Sequence, residues 1–474
     1  MDPSTAVIWF RRDLRLHDHP ALTTAAEGHD RVVPLFMLDQ ALLEGGSASP
    51  IRTRFLLESL RELAASLAGL GAPLVIRSGD PADAIVAICA ATGARDVYAS
   101  RDYAPYGRAR DARVSDRLAV SRVTLHVERG NLIHEPEAVA TGEGRPFTVY
   151  SPFRRAWERL ERRALLPAPT GLVGTDVEPG VVPDSVQVAA PLATPGESAA
   201  RARLDRWLDR GIEGYAASRD RLDLADGTSR LSADLHLGLL SANEVVTRAL
   251  GPGDGRRVFV NELVWREFYA HVLFHRPFLR KRSFRPAFDR IDWSTDPVLV
   301  EAWRTGMTGY PVVDAAMRQL AVSGWMPNRA RMIVATFLTK DLLVDWRVGE
   351  RHFMRSLVDG DVASDTGGWQ WCASTGTDPQ PYFRIFNPVV QGRRHDPDGS
   401  YVRRWVPELA GLPTRWIHAP WEAPPDVLAS SGVVLGTDYP ERIVDHAEAR
   451  LRALAVYGAR QMSTDRPHRL QPRG

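Results

Sequence analysis

An α/β domain on a doubly wound, parallel five-stranded sheet, followed by an all-helical domain, is the architecture the sequence predicts. Three observations predict it. The first 130 residues alternate short aliphatic runs with longer stretches of helical spacing. A proline-rich segment without period comes next, and from about residue 199 the apolar spacing is helical throughout.

Residues 6–10, 32–38, 73–76, 96–99 and 123–127 are rich in Val, Ile and Leu and bounded by turn residues, as strands covered on both faces are. Between them, 52–70, 81–92 and 107–120 carry helical spacing, and Pro81 stands where a first-turn proline belongs. Strands alternating with helices imply parallel pairing through right-handed crossovers, with ligands at the carboxyl ends of the strands. Residues 166–198 hold six prolines and read as linker. Helices are then expected at 200–209, 242–250, 256–274, 314–323, 328–344 and 440–457, without a convincing strand. The expected division is 1–130 for the α/β domain, 131–198 for the linker and 199–474 for the helical domain.

Composition narrows the function. The chain has 474 residues, 44% hydrophobic and 25% charged, with a net charge of +2. Nucleic-acid binding would therefore need a local basic patch. Two cysteines, Cys89 and Cys372, exclude a disulfide framework, a four-thiolate zinc site and an all-Cys iron–sulfur cluster. The stretch 63–76 is too short and too broken to span a bilayer, and the opening residues lack the features of a secretory signal. The expectation is a cytoplasmic monomer without membrane contact or metal. Of 60 Lys and Arg residues only Lys281 and Lys340 are lysines, and neither sits in a Gly-Lys-Ser/Thr phosphate loop. His-Glu-x-x-His, Gly-x-Ser-x-Gly and a strand-following Gly-x-Gly-x-x-Gly are also missing.

Seven of the 13 tryptophans fall between Trp265 and Trp371, where even spreading would place about three. Trp369 and Trp371, two residues apart, point to different sides of any regular element. Just upstream, Asp359, Asp361 and Asp365 stand near Arg329, Arg331, Arg351 and Arg355 in the sequence. Acid and base this dense beside indoles suggest a polar ligand in an aromatic-walled cavity.

Several long motifs carry a resemblance. The run 309–318 (GYPVVDAAMR), 228–232 (TSRLS), 261–268 (NELVWREF), 324–329 (GWMPNR), the block 359–371, 384–388 (RIFNP) and 10–15 (FRRDLR) resemble the signatures of the DNA photolyase/cryptochrome family. The resemblance spans about residues 5–460 and is greatest to the bacterial class I enzymes that repair cyclobutane pyrimidine dimers.

The resemblance implies an FAD held in the helical domain. Tyr215 and Thr228, Ser229, Arg230, Leu231 and Ser232 would line its phosphates. Glu262, Arg266, Asn328, Arg331, Asp359, Gly360, Asp361 and Asp365 would surround its rings. It implies light-driven repair of UV-damaged DNA, in which excited reduced FAD passes an electron to a flipped-out pyrimidine dimer. Trp265 and Trp371 would provide apolar faces for the two bases, and Glu262, once protonated, would hydrogen-bond a dimer carbonyl. Asn328 and Met332 would flank the dimer. Trp369, Trp346 and Trp293 match the family's chain of tryptophans that carries electrons between flavin and surface. Arg219, Arg280, Lys281, Arg329, Arg384, Arg393 and Arg394, with Arg282 and Arg285, would form the rim that positions DNA.

Two points stay open at this level. Asp365 falls at the position facing flavin N5, where repair enzymes usually carry Asn and plant cryptochromes Asp. The alternative is therefore a cryptochrome-type blue-light photoreceptor with little repair activity. The segment 102–108 (DYAPYGR) resembles members with an 8-hydroxy-deazaflavin antenna, for which Phe36, Arg52 and Asp102 are the pocket candidates. Methenyltetrahydrofolate, FMN or no antenna are the other possibilities.

Overall fold

The computed structural model of the chain describes residues 3–190 and 192–464. Five parallel strands, β1 Thr5–Phe10, β2 Arg31–Leu38, β3 Val75–Ser78, β4 Asp96–Ser100 and β5 Thr124–Glu128, form one sheet in the order β3-β2-β1-β4-β5. Phe10 is in register with Phe36 and Ile8 with Tyr98. Ala6 to Phe10 are almost completely buried, which explains why β1 reads as an uninterrupted apolar run. Edge strand β5 is partly exposed along its length. Val7, Trp9, Val33, Leu35, Val75 and Val97 pack with Ile85, Ile88, Val114 and Leu118 of the covering helices into one core.

Helices Pro20–Gly28, Pro50–Gly69, Pro81–Thr92 and Pro105–Val120 make the crossovers, and each starts on a proline. A proline costs nothing at that position because its missing N–H would have no helical partner. Side chains cap three of them: His19 accepts from Leu22 N, Ser49 from Arg52 N and Asp80 from Ala82 N. The sheet order reverses between β1 and β4, so a crevice opens beyond Phe10 and Ser100. There the guanidiniums of Arg11 and Arg110 lie 4.5 and 4.9 Å from the Trp9 ring.

Beyond β5 the regular elements of the described chain are helices, with isolated bridges only, and residues 160–196 carry no regular element among those described. Four sequence expectations need correction. Helix Pro20–Gly28 is not among the expected elements. Residues 131–198 are not all linker: Tyr150–Arg159 is a helix, burying Tyr150, Phe153 and Trp157 at i, i+3 and i+7. The helix expected over 328–344 divides into Asn328–Thr336 and a wider π turn, Phe337–Asp341, before Leu343 adopts a φ of 50°. The final helix is His446–Thr464, several residues beyond 440–457.

The chain forms two compact units. One comprises the chain up to Ala217 with Thr228–Pro277 and Met354–Ser364; the other comprises Ser218–Gly227, Phe278–Phe353 and the chain from Asp365 onward. This division parts the helical half that the sequence pattern keeps together at 199–474. No helix among the described residues is long and apolar enough to cross a membrane.

Candidate functional site

In the first unit, helix Asp254–His275 presents most of the predicted residues. It buries Leu263, Val264, Glu267, Phe268 and His271 along one side and leaves Glu262, Trp265, Arg266 and Tyr269 partly accessible. Glu262, Trp265 and Tyr269 follow at three- and four-residue spacing, so they share a face. Tyr150 stacks on Trp265, with ring centroids 3.7 Å apart and planes 4° from parallel.

Behind that face lies Glu267, a buried carboxylate that sequence reasoning left without a role. It accepts from the backbone N–H of Ile133 at 3.1 Å and of His134 at 3.3 Å, tying the start of the 131–198 segment to the helix. Burial pushes its carboxyl up to about 7, opposed by the nearby Arg266 and by those amides.

A small cavity in this unit has an apolar wall that includes Leu132, Leu235 and Leu273, and its polar lining includes Arg12, Asp102, Asn131, His236, Arg266 and Asp361. Arg12 Nη2 donates to Asp361 Oδ2 at 2.6 Å, and Arg266 Nη1 donates to the Asn131 carbonyl at 3.2 Å. Burial, joined by the charge of Arg12, holds the His236 imidazole well below its ordinary range, so the ring is neutral there. Asp361 is held below the usual carboxylate range: burial alone would raise it, but the charge of Arg12 prevails, aided by Arg266. The structure thus brings predicted Arg266, Asp361 and Asp102 around one cavity. Arg12, Asn131 and His236 come from distant parts of the chain. The Arg12 signal was the arginine pair opening the 10–15 motif.

Other predicted residues of this unit have identifiable surroundings. Tyr215 is buried, edge-on to Trp207 and Phe259 at 5.5 and 5.6 Å. Ser229 Oγ accepts from Leu231 N, and exposed Arg230 takes a φ of 54°. Leu231 is buried, whereas Thr228 is half-buried and Ser232 exposed. The helix that follows, Ser232–Leu237, has six residues, so its dipole supplies little of the anion attraction that a longer helix would. Asp359 is buried. Gly360 leaves room for Arg52: a Cβ there would approach Arg52 Nη1 to 2.5 Å. Arg52 itself donates to the carbonyls of Met354, Leu357 and Ser47. Phe36 is buried in β2, so of the three antenna candidates Asp102 lines the cavity.

In the second unit, the part of helix Val362–Cys372 from Asp365 onward carries Asp365, Trp369 and Trp371. Trp369 is buried, edge-on to Phe353 at 4.9 Å and Trp303 at 6.0 Å. Trp346 is wholly buried, with the Arg347 guanidinium 4.7 Å from its ring. Gly349, one turn after Trp346, makes the approach of Trp369 possible, because a Cβ there would lie 2.0 Å from the Trp369 ring. Gly349→Ala is accordingly expected to lower stability by about 1–3 kcal/mol through overpacking, seen as a lower Tm. Trp293 is partly accessible and meets Tyr457 edge-on at 6.2 Å.

Lys340, in the π turn, is wholly buried; its Nζ donates to Ser374 Oγ at 2.9 Å and sits 3.3 Å from the Tyr457 ring centroid. Burial drives that amine well below its ordinary range.

Asn328 is exposed at the start of its helix, its Nδ2 3.6 Å from Met332 Sδ. Arg331 Nε donates to the Met326 carbonyl at 3.0 Å. The predicted DNA residues Arg219, Arg280, Lys281, Arg329, Arg384, Arg393 and Arg394 all belong to this unit. Arg329 and Arg219 both pair with Asp220, at 2.7 and 3.8 Å. Leu222 N donates to the carbonyl of His395, next to Arg394. Gln370 Nε2 donates to the Leu279 and Arg282 carbonyls at 2.6 and 3.1 Å, pinning the Arg280-Lys281 loop to the helix of the two tryptophans.

Comparison with known proteins agrees along the whole chain. Residues 6–170 match the family described as DNA photolyase, and residues 259–459 match the FAD binding domain of DNA photolyase. The chain is 41% identical to a deoxyribodipyrimidine photo-lyase of Agrobacterium fabrum, covering 97% of this chain and 98% of that one. For the Streptomyces griseus deoxyribodipyrimidine photo-lyase the identity is 44%, over 95% and 98%. Among solved structures, a class III photolyase from Agrobacterium tumefaciens superposes with a TM-score of 0.90 at 40% identity, covering 98% of each chain. A Synechocystis cryptochrome gives a TM-score of 0.89 at 31% identity, over 96% and 99%. Such similarity over nearly the full length of each relative places the chain in the DNA photolyase/cryptochrome family, as a photolyase-type enzyme.

Proposed function

We propose that this enzyme repairs cyclobutane pyrimidine dimers in UV-damaged DNA with light. The observation that carries the reading is the shared helix face of Glu262 and Trp265, with the indole held flat and partly accessible. FAD, when bound in its reduced state, supplies the light-excited electron that splits the dimer. The residues present suit such a group. Arg12, Arg266 and His236 line one cavity of the first unit and offer hydrogen bonds to a polar ligand.

The chain's own side chains do the rest. Tyr215, Thr228 to Ser232, Arg266, Arg331, Asp359, Gly360 and Asp361 hold the cofactor. Trp265 and Trp371 stack the two bases, Asn328 and Met332 flank them, and Glu262 in its protonated form donates to a dimer carbonyl. Trp369, Trp346 and Trp293 relay electrons from solvent. An 8-hydroxy-deazaflavin antenna beside Asp102 is the light-harvesting reading. The arginine rim positions the duplex. Arg394→Ala should reduce the slope of log Kobs against log salt by about 1, the change expected when one phosphate is no longer neutralised.

The test is direct. Chemically reduced protein is mixed with an oligonucleotide containing one thymine dimer, illuminated with blue light, and dimer loss is followed by chromatography against a dark control. Light-dependent restoration is expected. Its absence in flavin-bearing protein would favour the cryptochrome-type photoreceptor, the second reading that Asp365 supports. Asp365→Asn would then restore repair.

A further inference from the structure

Tyr150 and Trp265 make an unusual pair. Aromatic rings prefer offset or edge-on contact to a parallel sandwich, so a face-to-face stack at 3.7 Å and 4° needs other contacts to hold it. Those contacts are present. The Tyr150 hydroxyl donates to the Asn261 carbonyl at 3.0 Å and lies 2.5 Å from Asn261 Oδ1. Arg154 Nη1 donates to the same Oδ1 at 3.0 Å. Phe268 packs edge-on against both rings, at 5.7 and 5.6 Å. Asn261 lies one helical turn before Trp265, so the phenol is bolted at its polar end to the turn that carries the indole.

Burial raises the phenol well above its ordinary range and outweighs the opposing charge of Arg154, which keeps the hydroxyl a donor. Tyr150 is buried while Trp265 stays partly accessible, and Tyr269 meets the indole only at a tilt, 5.5 Å and 38°.

We infer that Tyr150 is a positioning residue for the dimer: it covers one face of Trp265 and fixes the indole plane, so that the opposite face is ready to stack a base. The inference rests on the reading that Trp265 meets the dimer. An indole already ordered gives up no side-chain freedom on binding, and that saving converts to between about 2- and 13-fold in affinity. It should act on dimer recognition and leave undamaged DNA alone, since stacking on Trp265 requires the flipped-out base.

The experiment compares FAD-loaded wild-type protein, Tyr150→Leu and Tyr150→Phe, titrated into fluorescein-labelled oligonucleotides with and without a thymine dimer. Tyr150→Leu should weaken dimer binding within that range while its affinity for undamaged DNA and its flavin spectrum stay as in wild type. Tyr150→Phe, which keeps the ring, should restore most of the loss. Unchanged discrimination in Tyr150→Leu would overturn the inference. So would an equal loss on both oligonucleotides or loss of flavin, since the ring would then be only structural. If Tyr150→Leu does not fold, Tyr150→Met fills the space without a ring and carries the same comparison. A wild-type protein that does not discriminate at all would instead overturn the reading of Trp265.

Discussion

Trp346→Phe should abolish light-driven reduction of the bound flavin while leaving repair by chemically reduced enzyme intact. Trp346 is wholly buried, and its Nε1 has no protein partner among the described residues. Its helix also carries Gly349, whose missing side chain lets Trp369 pack against it. Phenylalanine keeps an aromatic ring in that space but gives up an electron far less readily than indole, so the proposed relay would stop there. The chemistry on the dimer does not pass through Trp346, which makes the two activities separable. Illumination with an exogenous thiol, followed by flavin absorbance, measures the first; chromatography of dimer loss measures the second. If Trp346→Phe photoreduces as fast as wild type, Trp346 serves the core alone. If repair by reduced enzyme falls too, the substitution has disturbed the fold and a Tm measurement will show it.

The largest stability effect should come from Glu267→Gln, and it should depend on pH. The Glu267 carboxyl is raised by burial from 4.5 to about 7. Its proton is therefore held more tightly in the folded chain than in the unfolded one. The stabilisation is full below about pH 4.5 and is lost progressively as pH rises to about 7. A shift of this size corresponds to about 3 kcal/mol. Glutamine cannot ionise, yet its carbonyl can still accept from Ile133 or His134, so the variant should gain on wild type by about that amount between pH 4.5 and pH 7.5.

His134 beside it titrates with the opposite sign, because burial lowers its imidazole to about 4. Subtracting wild type from variant cancels that contribution. Melting curves at several pH values decide it: Tm profiles that run parallel would remove Glu267 as the titrating group.

Most of the α/β domain was legible in the sequence because its physics is local. A strand buried on both faces must be a short apolar run, and a proline at a helix start marks its own position. Helix Tyr150–Arg159 was missed for the converse reason. It has ten residues, its buried side is three aromatics, and three of the other seven are arginines, so it looks like polar connecting chain until its partner helix is known.

Candidate site residues such as Glu262, Trp265, Asp359 and Asp361 were picked out by the long motifs that carry them. Their surroundings were not. Arg12, Asn131 and His236 meet around one cavity from three separate elements, and Tyr150 reaches Trp265 across more than a hundred residues. Nothing in local spacing encodes such a meeting. Glu267 is similar: its environment is set by two backbone amides of a segment that has no pattern of its own.

Lysine usage has a practical consequence for labelling. Of the two lysines, Lys340 is buried, while Lys281 is exposed in the loop that Gln370 pins to the tryptophan helix. An amine-reactive dye used near neutral pH on folded protein therefore has one side chain to modify, and no engineered cysteine is required. Conjugation at Lys281 places the reporter between Arg280 and Arg282, and peptide mapping separates it from label on an α-amine, which also reacts at this pH. Tryptic digestion before and after unfolding would show the second attachment, at Lys340, only once the core has opened.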